Sequence, residues 1–319
     1  MINALVLLIG LLILIKSADF LVDGAISLAS RIGISPLVVG LTIVSFGTSL
    51  PELLVTLVAG LQNNADLAIA NVVGSNIANV LLVLGVAAII RPLPVKDSTV
   101  VSEIPFSLTA ALLLGFLANA AIFAAVPTLS ISRIDGAILL FFFLLFMIYV
   151  YKMSIEGKEL IIEPGEQRLS TTRTLIYVLL GIVGLYFGGD FVVRGAVNLA
   201  ADMGVADALI GLTVVAIGTS MPELVASGVA AYRGQTDIAV GNVVGSNIFN
   251  ILWVLGFTAS FVELPFEAVS NTDLVMVVAS SALILVSLVV SRSNSILRWH
   301  GVVFVALYLS YLAYVVLRA

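Results

Sequence analysis

Residues 47–53 read GTSLPEL, and residues 218–224 read GTSMPEL. Residues 71–79 read NVVGSNIAN, and residues 242–250 read NVVGSNIFN. Both pairs are 171 positions apart. Sliding the chain by 171 lays 17–85 on 188–256 without a gap, with 34 identities in 69 positions. Further along, RIDG (133–136) matches RWHG (298–301) at an offset of 165, so the second copy is six residues shorter in between. Self-similarity of this density marks a duplicated unit.

The medium around these blocks is apolar. Of 319 residues, 61% are hydrophobic and 10% charged, with a mean hydropathy of +1.21. Soluble domains average about 45–50% apolar and about 25% charged, so a soluble globular enzyme is excluded. At about 20 apolar residues per membrane-spanning helix, the chain reads as an all-α integral membrane protein with ten spans. They are expected near 2–28, 36–61, 66–90, 102–125, 134–153, 174–200, 207–232, 237–262, 272–291 and 297–317. The N-terminal run lacks a basic leader and reads as the first span, not as a cleaved signal peptide. The one clearly polar stretch, 152–173, marks the midpoint. Residues 1–153 then form a first five-helix repeat, 154–173 a linker, and 174–319 a second repeat. Five is odd, so the second copy enters the membrane from the opposite side. Inverted repeats of this kind are common in secondary transporters.

Basic residues set the orientation. With the N-terminus outside, ten Lys and Arg fall on cytoplasmic connections and three at outer ends. Both termini are therefore expected outside and the linker in the cytoplasm. No Lys/Arg-rich run offers a footprint for nucleic acid. The absence of Cys and a single His exclude disulfides, iron–sulfur clusters and thiolate or multi-His metal sites. No cofactor and no obligate protein partner is implied.

The repeated blocks carry the chemistry. Pro51 and Pro222 have no N–H, and each leaves the carbonyl four residues back, on Gly47 or Gly218, without its helical donor. Broken helices are expected at spans 2 and 7. Irregular backbone at membrane depth is tolerated only where it is buried in protein or lines a cavity. Breaks at matched positions in two halves point to a transport site. Glu52 and Glu223 lie deep in these apolar spans, where a carboxylate costs about 2.5–3.5 kcal/mol on insertion scales. Neither block supplies a basic partner. Two carboxylates with free carbonyls form a set of hard oxygens suited to Ca²⁺. The hydroxyls of Thr48, Ser49, Thr219 and Ser220 surround them, either satisfying freed backbone or serving as ligands. Asn71, Ser75 and Asn79 share one helical face, as do Asn242, Ser246 and Asn250. Polar glue between helices is the structural alternative for Asn71, Asn76, Asn242 and Asn247. Lys16, Asp19 and Asp23, and likewise Asp190 and Arg194, read as local ion pairs near helix ends. His300, opposite Asp135 in the repeat, reads as structural.

In these blocks the sequence resembles the sodium/calcium exchanger family of cation/Ca²⁺ antiporters, in its prokaryotic form, over essentially the whole chain. The resemblance implies that Glu52 and Glu223 bind Ca²⁺ and Na⁺. It also implies that Thr48, Ser49, Thr219, Ser220, Ser75 and Ser246 supply oxygens, and that Ser45 and Ala216 contribute backbone carbonyls to Na⁺ sites. It further implies that helices 1 and 6 slide as gates. Relatives carry Asp at one position matching Asn79 or Asn250, whereas this chain has Asn at both. The central site then holds two acidic side chains instead of three. Either Ca²⁺ or two Na⁺ would neutralise it. The expected function is antiport of Na⁺ for Ca²⁺ by alternating access at a midplane site built on the two glutamates, with no enzymatic activity. Ca²⁺/H⁺ exchange and K⁺-dependent Na⁺/Ca²⁺ exchange are the alternatives within the class. A cation channel is the rival outside it. An intramembrane hydrolase lacks a base beside Ser49 or Ser220.

Overall fold

The computed structural model describes residues 2–120, 128–156, 169–203, 216–291 and 294–318. The chain opens with α1 (Ile2–Ile32). Ser35 caps the next helix by accepting from the Val38 N–H, with Pro36 in the first turn, where its missing N–H costs nothing. That helix, α2 (Pro36–Thr48), and its continuation α3 (Leu50–Leu61) meet at an angle of 46°. The rest of the first half is α4 (Ala65–Ile90), β1 (Leu93–Pro94), α5 (Asp97–Ala118), β2 (Ser130–Ile131) and α6 (Arg133–Glu156). The second half runs α7 (Thr171–Asp202), α8 (Ala216–Thr219), α9 (Met221–Tyr232), α10 (Thr236–Phe261), β3 (Leu264–Pro265), α11 (Asn271–Ser291), β4 (Ser295–Ile296) and α12 (Arg298–Arg318).

Among the described residues, eight helices are long and apolar enough to cross a membrane, and nine if the bent pair α2–α3 counts as one. The span expected at 207–232 begins outside the described residues, and its later part is α8 and α9. Several expected bounds were short. Helix α1 continues to Ile32, and α7 runs from Thr171 to Asp202, its start set by Ser170, whose side chain accepts from the Arg173 N–H. Helix α5 starts at Asp97, five residues before the expected 102, with an irregular turn at Ser102.

Burial separates centre from rim. Within their most apolar stretches α10 is 94% buried and α4 72% buried, against 22% for α6 and α12. The centre is therefore α4 and α10, which carry the NVVGSN blocks. The rim presents Leu112, Phe116, Phe141, Leu144 and Val289 outward, as lipid contact requires. Helices α1 and α7 pack antiparallel along their length through glycines. A Cβ on Gly10 would lie 2.8 Å from the Val192 nitrogen, and one on Gly181 would lie 2.8 Å from the Leu21 Cα. Small residues let membrane helices approach this closely.

The short strands were not foreseen. β1 pairs antiparallel with β4, and β2 with β3. The sequence offsets relate β1 to β3 and β2 to β4, so β1 pairs with the counterpart of β2, and β2 with the counterpart of β1. Polar ties also sort into two ends. At one end Lys96 Nζ meets Asp237 at 2.6 Å, Arg31 donates to the Leu169 carbonyl, Arg298 donates to the Ile90 carbonyl, and Asn294 bonds Asp97. At the other end Asn3 bonds Asp202, Ser130 bonds Glu263 at 2.6 Å, and Arg318 pairs with Asp273 at 2.9 Å. We call these the linker end and the far end.

Candidate ion site

Both breaks have one local cause. Ser49 ends α2 with φ −86° and ψ 7°, and Ser220 ends α8 with φ −86° and ψ 5°. In each case proline stands in the first turn of the helix that follows and cannot continue the ladder. The glutamate comes next, so Glu52 and Glu223 sit in the first turns of α3 and α9. Unpaired N–H groups and the helix dipole favour a carboxylate at such a terminus. Both side chains are fully buried.

The two breaks abut. Ser49 Oγ, at the first break, donates to Glu223 Oε1 at 3.3 Å, beside the second. Ser75 Oγ donates to Glu52 Oε1 at 3.5 Å from α4. Thr48 Oγ1 donates to Asn242 Oδ1 at 3.1 Å and lies 3.4 Å from Ser246 Oγ. Ser45 Oγ donates to the Gly40 carbonyl at 2.7 Å and the Asn242 carbonyl at 3.0 Å, pinning α2 to α10. Ala216 begins the described part of α8.

A second set of buried polar atoms has no hydrogen-bond partner in the protein: Glu52 Oε2, Glu223 Oε2, Ser220 Oγ and both amide atoms of Asn79 and Asn250. Buried polar atoms are nearly always partnered, and leaving one bare costs about 1–3 kcal/mol. Two carboxylates, two amides and a hydroxyl all break this rule in blocks that abut. Carboxylate, amide and hydroxyl oxygens are hard donors, suited to Ca²⁺ and Na⁺.

The asparagines divide. Asn71 Nδ2 donates to Thr56 Oγ1 at 2.9 Å, and Asn242 Nδ2 donates to Ser227 Oγ at 2.9 Å. These donors and acceptors are related by the same offset of 171, and they tie neighbouring helices. Asn76 bonds the Val72 carbonyl, and Asn247 the Asn76 carbonyl. Asn71, Asn242 and Asn247 thus serve the interhelical role the sequence offered as their alternative, whereas the Asn76 side chain bonds within its own helix. Asn79 and Asn250 do neither. Each lies in a wide-turn segment, Asn79–Leu84 or Phe249–Leu255, where the helix slackens to the π form. A third such segment, Gly40–Val44, precedes Ser45. π segments cluster at functional sites. The sequence reading missed them, since no residue type announces them.

Two cavities reach this region. One, of about 520 Å³, extends from Leu67, Ser270, Asp273 and Arg318 at the far end down to Asn71, Ser75 and Thr219. The other, of about 190 Å³, lies between α3, α7 and the second break, and is lined by Pro51, Asp190, Thr219 and Pro222. Thr219 lines both. Its counterpart Thr48 is fully buried, as are Asn242 and Ser246. A cavity thus reaches Ser75 and Thr219, at the edge of the site, from the far end, whereas their counterparts Ser246 and Thr48 are sealed.

Two readings of outlying residues resolve differently. Asp190 and Arg194 form the expected local pair at 2.8 Å. Asp19 and Asp23 do not pair only locally. Lys16 lies 3.8 Å from Asp19, but Arg233, from the end of α9, reaches Asp23 at 2.7 Å and Asp19 at 3.8 Å. The correction has a simple cause: α1 passes the end of α9, which a reading along one helix cannot see. His300 accepts from the Leu297 N–H on Nδ1, as Asp135 accepts from the Ser132 N–H.

Known proteins match this chain over nearly its full length. The family model described as sodium/calcium exchanger protein matches residues 2–152 and 173–317. The putative antiporter CaxA of Alkalimonas amylolytica is 39% identical over 95% of each chain. The sodium/calcium exchanger MaX1 of Methanosarcina acetivorans is 32% identical over 98% of this chain and 97% of its own. The solved structure of the sodium-calcium exchanger NCX_Mj superposes with a TM-score of 0.81 at 32% identity, covering 98% of both chains. These are transporters, and with such coverage the chain belongs to the sodium/calcium exchanger family.

Proposed function

We propose that this protein exchanges Na⁺ for Ca²⁺ across a membrane by alternating access. Both ions compete for one midplane site built on Glu52 and Glu223. Thr48, Ser49, Thr219, Ser220, Ser75, Ser246, Asn79 and Asn250 supply side-chain oxygens, and Ser45 and Ala216 supply backbone carbonyls. One observation carries the reading: two fully buried carboxylates at matched helix breaks, each with an oxygen that no protein group satisfies. A cation bound between them neutralises charges that are otherwise expensive to bury. An empty site is costly, so return without an ion is disfavoured.

The alternation rests on ten helices in two inverted repeats. Its support is the exchange of strand partners between halves, the antiparallel packing of α1 on α7, and the contrast between open Thr219 and closed Thr48. The membrane is the plasma (inner) membrane of a prokaryote, with the linker end in the cytoplasm. Uptake of ⁴⁵Ca²⁺ into proteoliposomes under outward Na⁺, K⁺ or proton gradients tests the assignment. A Na⁺ gradient should drive uptake at fixed pH and voltage. Uptake no faster than with choline defeats Na⁺ coupling. Drive by protons or by K⁺ alone would transfer the site to a different exchange.

A further inference from the structure

We propose that Glu103 is a cation way-station on the path from the linker end, buried while that path is closed and exposed when it opens. The inference rests on the alternating-access reading and adds a residue outside the central site.

Its basis is the mouth of the larger cavity. There Asp273 accepts from Tyr311 at 2.9 Å and is neutralised by Arg318, also at 2.9 Å. The burial pattern of α11 repeats that of α5 at an offset of 170: Leu274, Ser280 and Ile284 are buried, as are Ile104, Ala110 and Leu114. This register puts Glu103 in the place of Asp273. On α6 and α12 the offset is 165, so Met153 stands in the place of Arg318. The closed face thus has the acidic residue of the mouth without the arginine that neutralises it on the open face.

The local geometry is that of a site waiting for a partner. Glu103 is fully buried, and its Oε1 accepts from the Tyr149 hydroxyl at 2.5 Å. Its Oε2 has no protein partner, nor has Oγ1 of Thr99, which is 1% exposed and four residues earlier, before the irregular turn at Ser102. A carboxylate and a hydroxyl are hard donors for Na⁺ or Ca²⁺. Among the described residues no group of three or more acidic or His side chains gathers there. The site therefore attracts and passes a cation and does not retain it.

The test uses proteoliposomes in which each face is addressed separately. A unit charge about 10 Å from a divalent ion in water changes its local concentration about fourfold, and that of a monovalent ion about twofold. Glu103→Gln should raise the Ca²⁺ half-saturation at the linker face about three- to fivefold and the Na⁺ value about twofold. The maximal rate and the far-face values should not move, and the effect should fade at high ionic strength. Met153→Arg, which restores the missing arginine, should mimic it, and keeps the test alive should Glu103→Gln fold poorly. Arg318→Met should lower half-saturation at the far face only. If Glu103→Gln and Met153→Arg leave the linker face unchanged, or shift both faces equally, the way-station is wrong while the exchange reading stands. If the wild-type protein shows no Na⁺-driven Ca²⁺ flux, both fall together.

Discussion

The two copies of GTS(L/M)PE and NVVGSN are almost the same sequence in opposite circumstances. Thr48 and Ser246 are sealed, while Thr219 and Ser75 face a cavity of about 520 Å³. Local sequence cannot account for the difference, because the residues match. It comes from what surrounds each copy. On the sealed side Arg233 ties α9 to Asp23 of α1. At the related positions on the open side stand Gln62 and Arg194, and Arg194 pairs within its own helix with Asp190. One copy is bolted to its neighbour and the other is not. The matched blocks are thus tied differently at the two ends.

The strongest way to break the comparison is to remove one carboxylate at a time. Glu52→Gln and Glu223→Gln keep the shape and are cheap to bury. Each leaves a bound Ca²⁺ partly uncompensated. Losing a partner from a buried pair costs about 3–5 kcal/mol, so Ca²⁺ binding should weaken by roughly a hundredfold or more. The two losses should be similar in equilibrium ⁴⁵Ca²⁺ binding, since the glutamates are repeat-related. A large loss in one variant with none in the other would mean that the copies are not equivalent ligands.

The asparagines offer a finer cut. Asn79→Ala and Asn250→Ala remove amides that no protein group satisfies, and each should lower Ca²⁺ affinity by about tenfold, the worth of roughly 1.4 kcal/mol. Asn71→Ala and Asn242→Ala remove interhelical hydrogen bonds instead. They should lower stability in detergent by about 1 kcal/mol and leave affinity within about twofold. Thermal unfolding beside ligand titration separates the two classes, and equal affinity losses in all four would erase the distinction.

The smallest effect concerns the bolt. Both partners of Arg233–Asp23 are more than a third exposed, and such pairs are worth about 0.2–1 kcal/mol. Arg233→Gln should shift the balance toward linker-end opening by about two- to fivefold. The shift should appear as faster thiol labelling from that face. Arg194→Gln, breaking only a local pair, should leave the rate unchanged.

Much of this was legible in the sequence. Pro51 and Pro222 mark the breaks, because a missing N–H is a covalent fact that no packing reverses. Glu52 and Glu223 stand out, because burial in apolar spans makes a carboxylate conspicuous. The partner of Asp23 was not legible, since Arg233 is about 210 residues away and reaches it only through tertiary packing. Nor were the π segments at Gly40, Asn79 and Phe249, where small backbone adjustments within ordinary apolar runs set the turn width. The β1–β4 and β2–β3 pairings escaped for a related reason. Two-residue strands in connecting loops carry no periodicity to read.

The central claim is that one site is reached from opposite ends through repeat-related walls. Val55 lines both cavities, and its counterpart Ala226 is 2% exposed. The chain has no cysteine, so Val55→Cys and Ala226→Cys each present a single thiol to a membrane-impermeant reagent. During Na⁺/Ca²⁺ exchange, Val55→Cys should label from the far face only and Ala226→Cys from the linker face only. Labelling of both from the same face, or no labelling of Ala226→Cys while Ca²⁺ flux continues, would contradict it.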